Sequence, residues 1–173
     1  MIPQQQRNEQ NLPIPDTYYD LDRNRILRAL TYVAQYLAQR EKQVSIVTTG
    51  GVINTVVIRS RQTTHDVDFL NPRIANGNEA IFLEALQYAQ NMSSVPLGSA
   101  WLNNHTALWM PSNLVQEVIR NSIDQNAIVF QRPGLTVYAA IWEYAFMTKA
   151  ARVSRHLDGD FRPNENIRQY DIN

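Results

Sequence analysis

The stretch from Val44 to Leu70 constrains this chain more than any other. Val44-Ser45-Ile46-Val47-Thr48-Thr49 is short and rich in β-branched residues, which predicts a strand. Gly50-Gly51 interrupts it, and Val52, Ile53, Val56 and Val57 then recur at helical spacing up to Arg59. After the polar run Ser60 to His65, Asp66-Val67-Asp68-Phe69-Leu70 alternates and stops at Asn71-Pro72, the pattern of a second strand and its turn. Strand, glycine turn, helix and strand in such short order point to an α/β (α+β) domain: a short mixed sheet of about four or five strands flanked by helices.

The rest of the chain fits that frame. Residues 1–19 are rich in Gln, Asn and Pro and read as an extended or disordered arm, so that residues 20–173 form the expected single domain. Ile26, Leu27, Leu30, Val33, Ala34 and Leu37 predict an amphipathic helix over 21–41, capped by Asp20 or Asp22. A helix is expected over 78–91, another from Leu114 to Ile123 capped by Ser112 or Asn113, and a last one over about 141–156. Short strands are expected at Ala107–Met110, Ala127–Phe130 and Leu135–Ala139, the last two separated by Arg132-Pro133-Gly134. Beyond His156, Asp158-Gly159-Asp160 and Pro163-Asn164 read as loop, and 166–173 as the opening of a further helix.

Composition removes several functional classes. The chain has 173 residues and no cysteine, so thiol catalysis and cysteine-ligated metal sites are excluded. Sixteen Lys and Arg balance sixteen Asp and Glu, which argues against a strongly basic nucleic-acid binder while leaving room for a local basic patch. No stretch approaches the roughly 20 apolar residues that cross a bilayer, and Met1-Ile2-Pro3-Gln4-Gln5-Gln6-Arg7 lacks the apolar core of a secretory signal. The expectation is an intracellular, cytoplasmic protein without a membrane partner. His65, His105 and His156 show no metal-ligand spacing, and no nucleophile elbow occurs.

Two features of the Val44–Leu70 unit can carry chemistry. Paired glycines leaving a strand adopt backbone angles that a Cβ opposes, and they let a phosphate approach the main chain where a helix begins; the plainer reading is a tight turn. Asp66 and Asp68 sit two apart in a predicted strand, on one face, with ~6–7 Å between Cα atoms at ~3.3 Å rise per residue. Their mutual repulsion is relieved by Mg²⁺, which prefers hard oxygen ligands, water and substrate phosphates; the plainer reading is two solvated surface acids. Taken together in one strand–helix–strand unit, the cradle and the acid pair supply what phosphoryl-type transfer needs, a means of positioning a triphosphate and a metal to offset charge.

The pattern Gly50-Gly51 followed by Arg61-Gln62-Thr63-Thr64-His65-Asp66-Val67-Asp68 resembles the nucleotidyltransferase fold of the DNA polymerase β superfamily. Among its members it looks most like small bacterial and fungal proteins, abortive-infection type toxins included, that read Gly-Gly, then Arg-x-Ser/Thr-Thr-x-Asp-hydrophobic-Asp. The likeness is carried by residues 48–70 and extends more loosely over 26–156. It implies that Gly50 and Gly51 contact nucleotide phosphates, that Asp66 and Asp68 are catalytic Mg²⁺ ligands, and that Arg61 and Thr64 steer phosphates or brace the strand. Lys149, on the last helix, resembles a lysine such proteins place near the nucleotide. His65, beside the acids, is a possible phosphate contact.

The family usually adds a third carboxylate from a later strand, yet neither Ala107–Met110 nor Ala127–Phe130 contains an acid, and Glu117, Asp124 and Glu143 read as ordinary surface residues. The function implied is Mg²⁺-dependent transfer of a nucleotidyl group from a nucleoside triphosphate such as ATP to a hydroxyl on protein, RNA or a small molecule. The alternative is an inactive protein of the same fold that binds a nucleotide or a partner; a third reading, a metal-dependent glycosyltransferase, conflicts with the chain's small size. Trp101, Trp109, Trp142, Tyr88, Tyr138 and Tyr144 are expected in the core or on a pocket wall.

Overall fold

The computed structural model describes residue 10 and residues 17–71 and 74–157, with the side chains of residue 76 and of 151–157 left out of that description. The expected loop and helix beyond residue 157, with Asp158, Asp160 and Asp171, and most of the expected N-terminal arm lie outside the described residues. Of that arm, Thr17 and Tyr18 are anchored: Tyr18 bridges Gly98, and Thr17 exchanges hydrogen bonds with Ser99. Chain order runs β1 (Leu21–Asp22), α1 (Arg23–Ala38), β2 (Val44–Thr49), a π-helix (Ile53–Ile58), β3 (Thr63–Thr64) and β4 (Val67–Phe69). A 3₁₀ turn (Ala75–Gly77), α2 (Glu79–Met92), β5 (Leu102–Asn103), α3 (His105–Leu108), α4 (Ser112–Gln125), β6 (Ile128–Arg132), β7 (Leu135–Ala139) and α5 (Trp142–Leu157) follow.

Five strands form one mixed sheet in the order β5-β4-β2-β7-β6. β2 is central, antiparallel to β4 and parallel to β7; β4 and β5 are parallel, and β6 and β7 form an antiparallel hairpin. Side-chain alternation sorts the sheet into two faces. Val44 and Ile46, with Val67, Phe69, Leu102, Leu135 and Val137, enter the main core with Ile26, Leu30, Val33 and Leu37 of α1 and Phe82, Ala85 and Ala89 of α2. Val47 and Leu70 point the other way and join Val118 of α4, with Tyr138 packed against them. Each of the fully buried aliphatic side chains contributes about 1.5–3 kcal/mol to folding, which is why α1 forms where its apolar residues repeat.

Local chemistry sets the boundaries. Asp22, rather than Asp20, caps α1, its carboxylate accepting from the Arg25 N–H at 2.8 Å. Past β4 the Asn71 side chain takes over the ladder: its Oδ1 accepts from the Val47 N–H at 2.8 Å, which satisfies that donor beyond the last residue of β4. α4 starts directly after Pro111 without a side-chain cap. The α1–α2 contact carries a Tyr36 hydroxyl that donates to Glu84 at 2.8 Å, and that carboxylate holds the phenol proton, raising the Tyr36 pKa above its usual value.

The expected helix after Gly50-Gly51 is present in altered form. One helical turn at Gly51-Val52 widens into the π-helix, which ends with Arg59 in the left-handed region, its N–H donating to the Asn54 carbonyl. β-Branched residues crowd this segment and fit a regular α-helix poorly, while Thr55 hydrogen-bonds back to the Gly51 carbonyl at 3.0 Å. The expected strand at Ala107–Met110 is corrected: Ala107 lies in α3, and the strand is Leu102–Asn103, held by pairing with Val67 and Asp68. β4, which carries Asp68, is an inner strand, with β5 outside it.

Candidate functional site

β1 pairs with β3, Leu21 opposite Thr64 and Asp22 opposite Thr63. This ribbon presses buried Thr64 against the glycine turn, so tightly that a Cβ on Gly51 would lie 2.1 Å from Thr64 Oγ1. Gly50 adopts φ +75°, and a Cβ there would meet Asp68 Oδ2 at 3.3 Å. Both glycines are therefore demanded by the fold: one by a left-handed backbone, the other by close approach. The same closeness brings the Asp68 carboxylate to the exit of β2.

Register places the acids. Asp68 pairs with Thr49 on one side and Asn103 on the other, so these three side chains share the face that carries Val47. Thr48 fixes the strand from the opposite face, donating from Oγ1 to the Asp68 carbonyl at 2.7 Å. Asp66 precedes β4 and lies outside the strand. Its Oδ2 accepts from the Asn103 amide at 3.4 Å.

A cavity of about 530 Å³ opens on this face. Gly50, Gly51, Arg61, Asp68 and Lys149, all singled out by the sequence, line it together. Asp66 and Thr64 do not belong to its lining: Asp66 bonds to Asn103, and Thr64 is buried as a brace beneath Gly51. His65 Nε2 lies 3.2 Å from Asp20 Oδ1 rather than in the cavity, because the β1–β3 ribbon brings the two together. Glu117, Asp124 and Glu143 are exposed and outside the lining. Among the described residues, no three His, Asp or Glu side chains gather as a metal-ligating group.

Several lining residues were not singled out for chemistry. Beside Lys149, α5 contributes Trp142, Ala145 and Phe146, with Tyr144 and Thr148 next to them, while Asn54 and Ile58 come from the π-helix and Thr106 from α3. Positions 142, 145, 146 and 149 follow the i, i+3, i+4, i+7 rule, so a helical reading of 141–156 holds the signal that they share one face. The other aromatics divide: Trp101 is buried, Tyr88 packs on Tyr36 with ring centroids 5.2 Å apart, and Trp109 is 87% exposed.

Asn103 was also missed, and it is the best-satisfied polar group here. It is 1% exposed, donates to the Ala100 carbonyl at 2.9 Å and to Asp66, and accepts from the His105 N–H at 3.0 Å. One amide thus joins the turn before β5, the first acid and the start of α3. Asn103→Leu, similar in volume, is expected to lose about 2–4 kcal/mol, since three hydrogen bonds of about 1 kcal/mol each go and buried groups stay unpaired. Urea unfolding with an unchanged m-value checks this.

Residues 20–171 match the model of a protein family described as "Domain of unknown function (DUF7582)". The chain belongs to this family. Neither curated proteins nor solved structures yield a match. DUF7582 covers every element from β1 through α5, hence the whole set of cavity-lining residues. Among the described residues of this DUF7582 domain, no helix is long and apolar enough to cross a membrane.

Proposed function

We propose that this cavity binds a nucleoside triphosphate with Mg²⁺ and that the protein transfers its nucleotidyl group to a hydroxyl acceptor. The observation that carries the reading is convergence: a glycine turn, a carboxylate and two cations, Arg61 and Lys149, from separate parts of the chain border one space. Cations and main-chain N–H groups at a strand exit suit a polyphosphate. A carboxylate in the same space repels a bare polyphosphate, so a metal between them resolves the conflict.

The donor set fits Mg²⁺. Asp68 offers a hard carboxylate at the cavity and Asp66 a second one two residues earlier, and the open volume beside Asp68 leaves room for water and phosphate oxygens, the coordination Mg²⁺ keeps. A bound ion would offset the charge that develops at the α-phosphate as the acceptor oxygen bonds to its phosphorus and pyrophosphate leaves. Asn103 holds Asp66 by hydrogen bond; Arg61 and Lys149 orient the phosphates and stabilise their charge. Thr64 keeps Gly51 against the ribbon, setting the turn to which the phosphates bind.

A second reading, nucleotide binding without transfer, is favoured by Asn103. That residue sits in register with Asp68 on the neighbouring strand and on the same face, yet an amide cannot act as a base toward an acceptor hydroxyl. The experiment that separates the two is incubation of the protein with Mg²⁺ and a nucleoside triphosphate labelled at the α-phosphate, with lysate protein and RNA as acceptors. Transfer predicts covalent label in an acceptor, or on the protein itself, that is absent with Asp68→Asn. Binding by the wild type without any label leaves the second reading standing.

A further inference from the structure

One wall of the cavity is not explained by phosphate or metal. Trp142 and Phe146 line it while 44% and 75% exposed, so core packing does not account for them. They lie one helical turn apart on α5, and Lys149 follows on the same face. From Trp142 to Lys149 the stripe covers about 10.5 Å at ~1.5 Å per residue, with aromatic rings at one end and a cation at the other. A ligand matched to it is planar and π-rich at one end and anionic at the other.

We infer that Trp142 and Phe146 form a stacking platform for the nucleobase, so that the triphosphate is held by its base on α5 and by its phosphates between Lys149 and the Gly50-Gly51 turn. This deepens the nucleotide reading and rests on it. Stacking uses the π-face that every base has and reads none of the edge groups by which bases differ. The platform therefore supports binding of purine and pyrimidine triphosphates alike, with purines favoured only through their larger ring area.

The experiment compares Mg²⁺-ATP, Mg²⁺-CTP and inorganic tripolyphosphate with Mg²⁺ on wild type, Trp142→Ala, Phe146→Ala and Trp142→Phe. Each alanine variant is expected to weaken ATP and CTP binding by roughly 5–150-fold, the range of one lost base stack, and to leave tripolyphosphate affinity within twofold. Trp142→Phe, which keeps a ring, restores most of the loss. Circular dichroism confirms that the variants fold, which their exposed positions favour. Equal loss for tripolyphosphate and nucleotide, or no loss for either, overturns the platform while leaving a phosphate site. Failure of the wild type to bind any of the three ligands overturns the nucleotide reading itself, and the platform with it.

Discussion

Asp68→Asn is expected to weaken Mg²⁺-dependent triphosphate binding by at least ~10–100-fold, since losing the proposed metal ligand costs no less than the 10–100-fold seen when a residue that merely orients one is changed. Asp68 is the acid that lines the cavity, and its carboxylate lies against Gly50, where polyphosphate oxygens would enter. The amide keeps the size of the side chain and removes the charge that attracts the cation. Folding should survive: the strand is held through main-chain pairing and through Thr48, whose hydroxyl bonds to the Asp68 carbonyl rather than to its side chain. Asp66→Asn should weaken binding less, because Asp66 is turned to Asn103 and stands outside the lining. Isotherms at fixed free Mg²⁺ check the ranking, and equal effects of the two changes would show that the acids act as one unit.

The second large effect concerns the fold. Gly134 turns the β6–β7 hairpin with φ +94°, and a Cβ there would sit 2.3 Å from the Ala34 carbonyl oxygen and 2.7 Å from the Ala38 nitrogen. Both are backbone atoms of α1, which cannot swing aside. Left-handed strain of about 1–3 kcal/mol and overpacking of about 1–3 kcal/mol together predict a loss near ~4 kcal/mol for Gly134→Ala. That lowers Tm by about 8–16 °C in a domain of this size. Gly77 provides the control: it has φ +66°, and a Cβ there would meet nothing within 4 Å, so Gly77→Ala should lose only the strain. Thermal denaturation of the two variants side by side tests this, and equal Tm values would contradict the close approach of hairpin and helix.

Local rules made part of this architecture legible in the sequence. α1 and β2 lie within a few residues of where apolar spacing puts them, and Asp68 falls in β4 as its alternation predicts, whereas Asp66 stops short of that strand. β5 is invisible in the sequence, since Leu102–Asn103 is a two-residue strand that exists through pairing with Val67 and Asp68 and carries no alternation of its own. Ala107–Met110 looks like a strand for its apolar residues, but Asn103 and Asn104 at its approach favour a turn, and α3 forms instead. The π-helix reads as an ordinary helix because spacing does not distinguish the two over so short a run.

At the site, the glycines are legible as a special turn, but not the reason for them. Gly51 is required by Thr64, a contact that depends on β1 pressing β3 inward from the far side. Lys149 can be placed on a helix but not in the cavity, since that depends on α5 passing the exit of β2, a matter of tertiary packing. Trp142 can be named as a pocket wall, and helical spacing puts Phe146 on its face; that this face borders the cavity follows only from the three-dimensional arrangement.

The most direct measurement is titration calorimetry of ATP, GTP, CTP and UTP into the wild-type protein, first with Mg²⁺ and then with the metal chelated. The account predicts saturable one-site binding with Mg²⁺ that is lost on chelation and, with Mg²⁺ restored, absent in Asp68→Asn. No binding of any triphosphate, or binding indifferent to both Mg²⁺ and Asp68, would contradict it.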